Sequence, residues 1–591
     1  MPHRRLLTTL GVLLGAFVGM LAPVTAGAQA APAAPTAPAS PASPASPMTE
    51  AISWTTCDPT LLLPAQCATL PVPLHHDEPS GRTIPFALYR VAATGALSEH
   101  RGALFVNPGG PGGTGLDFLL YLAQVVDPAV LRVYDLIAFD PRGVGASDGL
   151  RCGVGVAFPY SLGDDPVAEA LATGAALGAD CVAEDPELVA AMGTANVARD
   201  LDLARDALGL PRLDFLGYSY GTRIGAVYAA LFPDRVGRFV LDGAVDPAQS
   251  YRTAMIDQMA GFEDSLHRFF DACDAEPTCA FRGDGPGGTQ ARFAALLARA
   301  ATEGLAVAGP VDDGDGLDDG DRVDEGELVG GFAGYLYGGH QLFPYLAQVF
   351  AAAEAGDAAQ LAADAAGAAS GPLGQYFAVV CADADARYGR PEANFATWSL
   401  RDRAEVFGPA VLEILFCGAF PEAVEPAPAL DGEGLPPALI LGNTHDPATP
   451  YAAAVSLRDH WPAAALLTYE GDGHTIAFSG NRCVDTAVVA FLVDGEPVAD
   501  GKRCRPDPVL GIQPVALADG TLLLAAVDPA GPSAGIVEAG DVLVSVQGGP
   551  PTFDALVDAL AAGGDIAVTV QRAGTRLDVV LRPGPPAYWR P

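Results

Sequence analysis

The stretch Leu213-Asp214-Phe215-Leu216-Gly217-Tyr218-Ser219-Tyr220-Gly221, followed at helical spacing by Ile224, Val227, Tyr228 and Leu231, constrains the fold more than any other part of the chain. An apolar, strand-like run passes directly into a helix, and a serine sits at the corner between two glycines. A serine on so sharp a turn needs small neighbours on both sides, because the backbone there comes close to the adjoining strand and helix. The bare Gly-x-Ser-x-Gly pattern is weak in a chain with 69 Gly. The strand before it and the helix after it make it strong.

The surrounding sequence continues this pattern. From about residue 54 to 504 short apolar runs alternate with helical stretches, the signature of a mostly parallel sheet covered by helices. Candidate strands are Ala103–Val106, Leu136–Phe139, Leu213–Leu216, Phe239–Leu241, Leu439–Leu441 and Leu466–Tyr469. Residues 246–429 are Ala-rich and largely helical in period, and read as an inserted helical cap. Within them VDDGDGLDDGDRVDEGE alternates Asp and Gly, but its spacing does not match a calcium loop, so it reads as a solvated loop. After Pro508 a third unit begins, with strands at Leu522–Val527, Val542–Val546, Ile566–Gln571 and Asp578–Leu581 and a helix at Phe553–Leu560. A chain of 591 residues accommodates several such units.

At the start, Arg4 and Arg5 precede an apolar run from Leu6 to Leu21 and the small residues Ala26-Gly27-Ala28, which predicts a cleaved signal peptide over residues 1–28. No later segment is long and apolar enough to span a bilayer. Residues 29–48 are a Pro/Ala/Ser tract that cannot bury a core and predicts an extended linker. The core unit is expected over residues 49–505 and the last unit over 508–585. With 71 Asp and Glu against 33 Lys and Arg, the net charge of -38 excludes a nucleic-acid partner and an anionic membrane surface. Ten cysteines fall in near-neighbour couples, 57/67, 152/181, 273/279, 381/417 and 483/504, without the spacing of a zinc site. An even count in an exported chain predicts disulfides, and sequential pairing is the expectation.

A serine hydroxyl needs an adjacent imidazole as base and a carboxylate to fix the imidazole tautomer. Both stand downstream, each just past a candidate strand: Asp446 in Leu441-Gly442-Asn443-Thr444-His445-Asp446-Pro447, and His474 in Gly471-Asp472-Gly473-His474. Ser219, Asp446 and His474 are the expected catalytic triad. The Gly-rich loop Asn107-Pro108-Gly109-Gly110-Pro111-Gly112-Gly113 follows another strand and lacks the Lys-Ser or Lys-Thr of a phosphate loop. Gly110 and Tyr220 are the expected oxyanion-hole amides. No metal and no cofactor is required.

The GGPGG loop, the Asp140-Pro141-Arg142-Gly143-Val144-Gly145 turn, the GYSYG elbow and the GNTHDPATP and GDGH segments together resemble the secreted tripeptidyl aminopeptidase branch of the prolyl iminopeptidase family, over about residues 50–505. That resemblance implies an α/β-hydrolase core, a helical cap carrying a disulfide at Cys381 and Cys417, and release of short peptides from free N-termini. Prolyl iminopeptidases proper carry His before GGPG where this chain has Asn107-Pro108, a departure that bears on strict proline specificity. An exopeptidase must bind a substrate ammonium, and Asp383 and Asp385 of the cap are candidates beside a bland reading as surface charge. Residues Val509–Leu581 resemble a PDZ domain, with Leu510-Gly511-Ile512 as carboxylate-binding loop and a peptide C-terminus as expected ligand. The alternatives are an esterase or amidase on non-peptide substrates, and a non-catalytic binding protein acting through the last unit.

Overall fold

A computed structural model describes residues 52–584 apart from 62, 157–159, 161–164, 309–321, 371–372, 425, 511, 518–520 and 528–531. The expected signal peptide and linker, and most of the acidic tract, lie outside the described residues.

The centre is a ten-stranded sheet. Its strands are β1 (Thr55–Thr56), β2 (Gln66–Pro73), β3 (Thr83–Val91), β4 (Gly102–Asn107), β5 (Tyr134–Phe139), β6 (Leu213–Tyr218) and β7 (Val236–Asp242), then, beyond the short cap strands β8 (Leu305–Ala306) and β9 (Arg322–Val323), β10 (Ala438–His445), β11 (Ala465–Asp472) and β12 (Lys502–Cys504). The order is β1-β2-β3-β5-β4-β6-β7-β10-β11-β12. From β5 to β12 every neighbour is parallel, whereas β1, β2 and β3 are antiparallel. The sheet is therefore mixed rather than only parallel. Pro71, Pro73 and Pro85 mask the strand pattern of β2 and β3, since a proline cannot donate to a ladder and is confined to the outer parts of a sheet.

The parallel strands are apolar throughout because both faces are covered. Phe105, Phe215 and Phe239 point into one layer, and their chain neighbours Leu104, Leu216 and Val240 into the other. The register sets Asn107 beside Gly217, Tyr218 beside Asp242 and His445 beside Asp472, so the carboxyl ends of β4, β6, β7, β10 and β11 form one edge. Connecting loops converge there, which is where parallel sheets place their sites.

The Asp140–Gly145 turn is held from inside. The Asp140 carboxylate accepts from Gly115 N–H at 2.7 Å, Ala146 N–H at 2.8 Å and the Tyr89 hydroxyl at 2.6 Å. Arg142, fully buried, donates to both oxygens of the equally buried Asp200 (2.7 and 2.8 Å) and to the carbonyls of Leu74 and Pro73. Buried charge of this kind persists only when paired and fully hydrogen-bonded.

Between β7 and β10 the chain forms helices Tyr251–Ala275, Gly288–Glu303, Glu325–Tyr337, Phe343–Glu354, Leu373–Asp383 and Arg390–Leu400 and the helical segment Gly408–Ala419. Phe269, Phe293, Phe332 and Phe350 interlock at their centre. The end of the acidic tract is not loop: Asp324 accepts from Glu327 N–H while Glu327 accepts from Asp324 N–H, a capping box that starts the Glu325–Tyr337 helix. At the C-terminus β13 (Ile512–Ala516), β14 (Leu522–Val527), β15 (Val542–Val546), β16 (Ile566–Arg572) and β17 (Thr575–Leu581) form an antiparallel sheet, with one helix, Phe553–Ala562. Among the described residues no helix is long and apolar enough to cross a membrane.

The ten cysteines form five disulfides in sequential order. The longest loop, of 36 residues, is closed by Cys381–Cys417. Replacing both by Ser is expected to lower the unfolding free energy by about 3 to 4 kcal/mol through restored chain entropy, read by denaturant titration of the oxidised proteins.

Candidate active site

Ser219 stands between β6 and the helix Tyr220–Leu231 with φ 55° and ψ -128°, a region costly for any residue with a side chain. The turn closes because both flanking glycines are in tight contact. A Cβ on Gly217 would lie 2.6 Å from Gly221 O, and one on Gly221 would lie 2.9 Å from Asn107 O. Ser219 N–H donates to Asp242 O at 2.8 Å, which ties the corner to the end of β7.

Asp446 and His474 meet just past β10 and β11. Asp446 is almost fully buried; its carboxylate accepts from the amides of Ala448 (2.9 Å) and Thr449 (2.8 Å) and from Thr449 Oγ1 (3.1 Å). His474 Nδ1 lies 2.9 and 3.0 Å from the two Asp446 oxygens. This arrangement holds the proton on Nδ1 and leaves Nε2, buried and without a hydrogen-bond partner among the described residues, as the basic nitrogen. The backbone of His474 is fixed separately: its N–H donates to Tyr337 O at 2.8 Å, and Asn443 Nδ2 donates to Gly473 O at 2.8 Å.

The Gly-rich loop lies against the elbow. Gly109 N–H donates to Asn107 Oδ1 at 3.0 Å, whereas Gly110 N–H makes no hydrogen bond among the described residues. Tyr220 N–H opens a helix and has no intrahelical acceptor. Both expected oxyanion donors are thus uncommitted, on loops in contact at Gly109.

The cap grips the loops of Asp446 and His474 through one helix. From Tyr251–Ala275, Asp264 pairs with His445 at 2.9 Å and Arg268, one turn on, pairs with Asp472. Burial pushes the Asp472 carboxyl up, but His340 at 3.7 Å and Arg268 paired with it outweigh the effect and hold the group below its ordinary value.

The cap carboxylates singled out by sequence are already engaged. Asp383 accepts from Arg223 Nε at 3.0 Å and from Thr194 N–H at 2.9 Å, and Asp385 accepts from Tyr251 N–H and the Tyr388 hydroxyl. Another carboxylate has no cation partner among the described residues. Glu413, 2% exposed, accepts from the Tyr251 hydroxyl at 2.7 Å and from Tyr376, with Tyr160 and Tyr337 close by. Burial pushes it up to about 7, and those hydroxyls only partly offset the effect. This cluster borders the triad. The Tyr337 ring meets the His474 ring edge-on at 5.2 Å, and the Tyr376 backbone abuts Gly112 of the Gly-rich loop. A lone Glu inside Val411-Leu412-Glu413-Ile414-Leu415-Phe416 is the sequence signal that marks it.

The chain matches the alpha/beta hydrolase fold family over residues 102–319 and the TAP-like protein family over 404–504. It is 33% identical over 489 residues to the tripeptidyl aminopeptidase of Streptomyces lividans, covering 77% of this chain and 87% of that one. The chain belongs to the tripeptidyl aminopeptidase-like family of α/β-hydrolases. As a member of that family it is a serine hydrolase. It is also 29% identical to serine protease Hip1 of Mycobacterium tuberculosis (77% of this chain, 91% of the relative) and 34% identical over 540 residues to carboxylesterase B of the same organism (85% and 98%). Among solved structures, proline iminopeptidase of Mycobacterium smegmatis aligns with 15% identity and a TM-score of 0.32 over 72% of this chain and 98% of its own.

Gly109 carries a φ of 92°, and a Cβ there would stand 2.6 Å from Tyr218 O, 2.8 Å from Ser219 Cβ and 2.9 Å from Tyr220 N. Gly109→Ala is expected to push the loop off the elbow and lower kcat/KM by about a hundredfold, measured as initial rates on a chromogenic substrate.

Proposed function

We propose that the protein is an exported serine aminopeptidase that removes short peptides, tripeptides in the first instance, from free N-termini. Ser219 attacks the scissile carbonyl and becomes acylated, His474 Nε2 takes its proton and returns it to the leaving amine, and Asp446 orients the ring. The Gly110 and Tyr220 amides receive the developing oxyanion. The observation that carries the peptidase reading is Glu413: a buried carboxylate without a cation, among tyrosines that reach both the base and the oxyanion loop. A substrate α-ammonium supplies the missing charge, with the tyrosine faces and hydroxyls around it. Five disulfides and the expected signal peptide support export.

The likeness to carboxylesterase B favours a second reading, an esterase on the same triad. Matched free and N-acetylated tripeptidyl chromogenic substrates and a simple aryl ester separate the two. The expected result is cleavage of the free tripeptide alone, and its loss in Ser219→Ala; preference for the ester or the blocked peptide refutes the aminopeptidase.

Glu413→Gln is expected to raise KM for free tripeptides about ten- to a hundredfold, the worth of one charge-assisted hydrogen bond, without changing the weak rate on blocked ones. The pH dependence has a definite sign. Glu413 ionises as pH rises through about 7, so affinity for free tripeptides rises across that range and falls again as the α-amine deprotonates near about 8. A 1/KM profile keeping its acidic limb in the Gln variant would show that another group binds the ammonium.

A further inference from the structure

Asp242 is the last residue of β7, fully buried, and has no place in the reaction just described. Its two ends hold the two reacting side chains' segments. Its carbonyl oxygen accepts the Ser219 N–H at 2.8 Å, at the strained corner. Its carboxylate Oδ2 accepts two consecutive amides, Ile476 N–H at 2.8 Å and Ala477 N–H at 2.6 Å, two and three residues past His474. The segment it grips is itself strained, with positive φ at Thr475 (66°) and Phe478 (59°), neither a glycine. No cation pairs with the carboxylate, and Oδ1 has no partner among the described residues. Burial pushes the group up to about 7 against the pull of the two amides. A carboxylate kept at that cost, where an apolar residue would pack, has a positional task.

We infer that Asp242 is a positioning residue that fixes the distance between Ser219 and His474, by binding the nucleophile corner with its backbone and the strained base loop with its side chain. It touches neither substrate nor reacting atoms. The inference rests on the triad reading above.

The test compares wild type with Asp242→Ala and Asp242→Asn on a free tripeptidyl chromogenic substrate, together with the rate at which a fluorophosphonate labels the protein. Asp242→Ala is expected to lower kcat about a hundredfold with KM within about twofold, and to slow labelling of Ser219 in proportion. Asp242→Asn keeps an acceptor for both amides and is expected to restore most of kcat. If the Ala variant does not fold, Asp242→Glu, which displaces the acceptor by one methylene, is expected to give the same split between kcat and KM. Unchanged kcat and labelling in the Ala or Glu variant overturn the inference alone, as does an Asn variant as impaired as Ala. Labelling of wild type at a residue other than Ser219 overturns the triad reading and this inference with it.

Discussion

The backbone at Ser219 is held where a residue with a side chain is disfavoured by about 1 to 3 kcal/mol, and much of the structure nearby serves to hold it there. The corner survives because three strands and a helix crowd it: β4 through Asn107, β6 and the following helix through Gly217 and Gly221, and β7 through the carbonyl of Asp242. None of these contacts is chemical in the reaction. They convert burial of the sheet, stabilised by apolar side chains on both faces, into a hydroxyl fixed at the mouth of the strand edge.

Carboxylates divide sharply by how they are satisfied. Asp140 and Asp200 are locked into the fold by hydrogen bonds and by Arg142, and Asp383 is locked by Arg223 and Thr194. Asp446 is saturated with donors, including the imidazole it orients. Glu413 and Asp242 are different: burial raises both to about 7, and neither has an Arg or Lys partner among the described residues. The first lies among tyrosines, one of which meets the His474 ring; the second accepts the amides two and three residues past His474. A cation-free buried carboxylate is costly unless hydrogen bonds satisfy it.

The cap is also coupled to the catalytic loops rather than merely laid over them. Asp264 and Arg268 on one helix hold the residue before Asp446 and the residue two before His474, while Tyr337 accepts the His474 amide. The loops of Asp446 and His474 thus share supports with the cap.

The sequence by itself determined the chemistry-bearing corners. The elbow glycines, the six apolar runs and the Asp and His past strand ends follow from local rules, because a strained turn admits few residues and a parallel strand buried on both faces must be apolar throughout. It did not reveal β2 and β3 as strands, since Pro71, Pro73 and Pro85 break the local pattern. Nor did it single out Glu413 or Asp242. A carboxylate's availability depends on whether an arginine, an amide or nothing faces it, and those neighbours come from segments up to hundreds of residues apart. Arg223 meets Asp383 across 160 positions, and Asp242 meets Ala477 across 235. Only tertiary packing brings such groups together, so only the folded structure decides which buried acids face a cation and which do not.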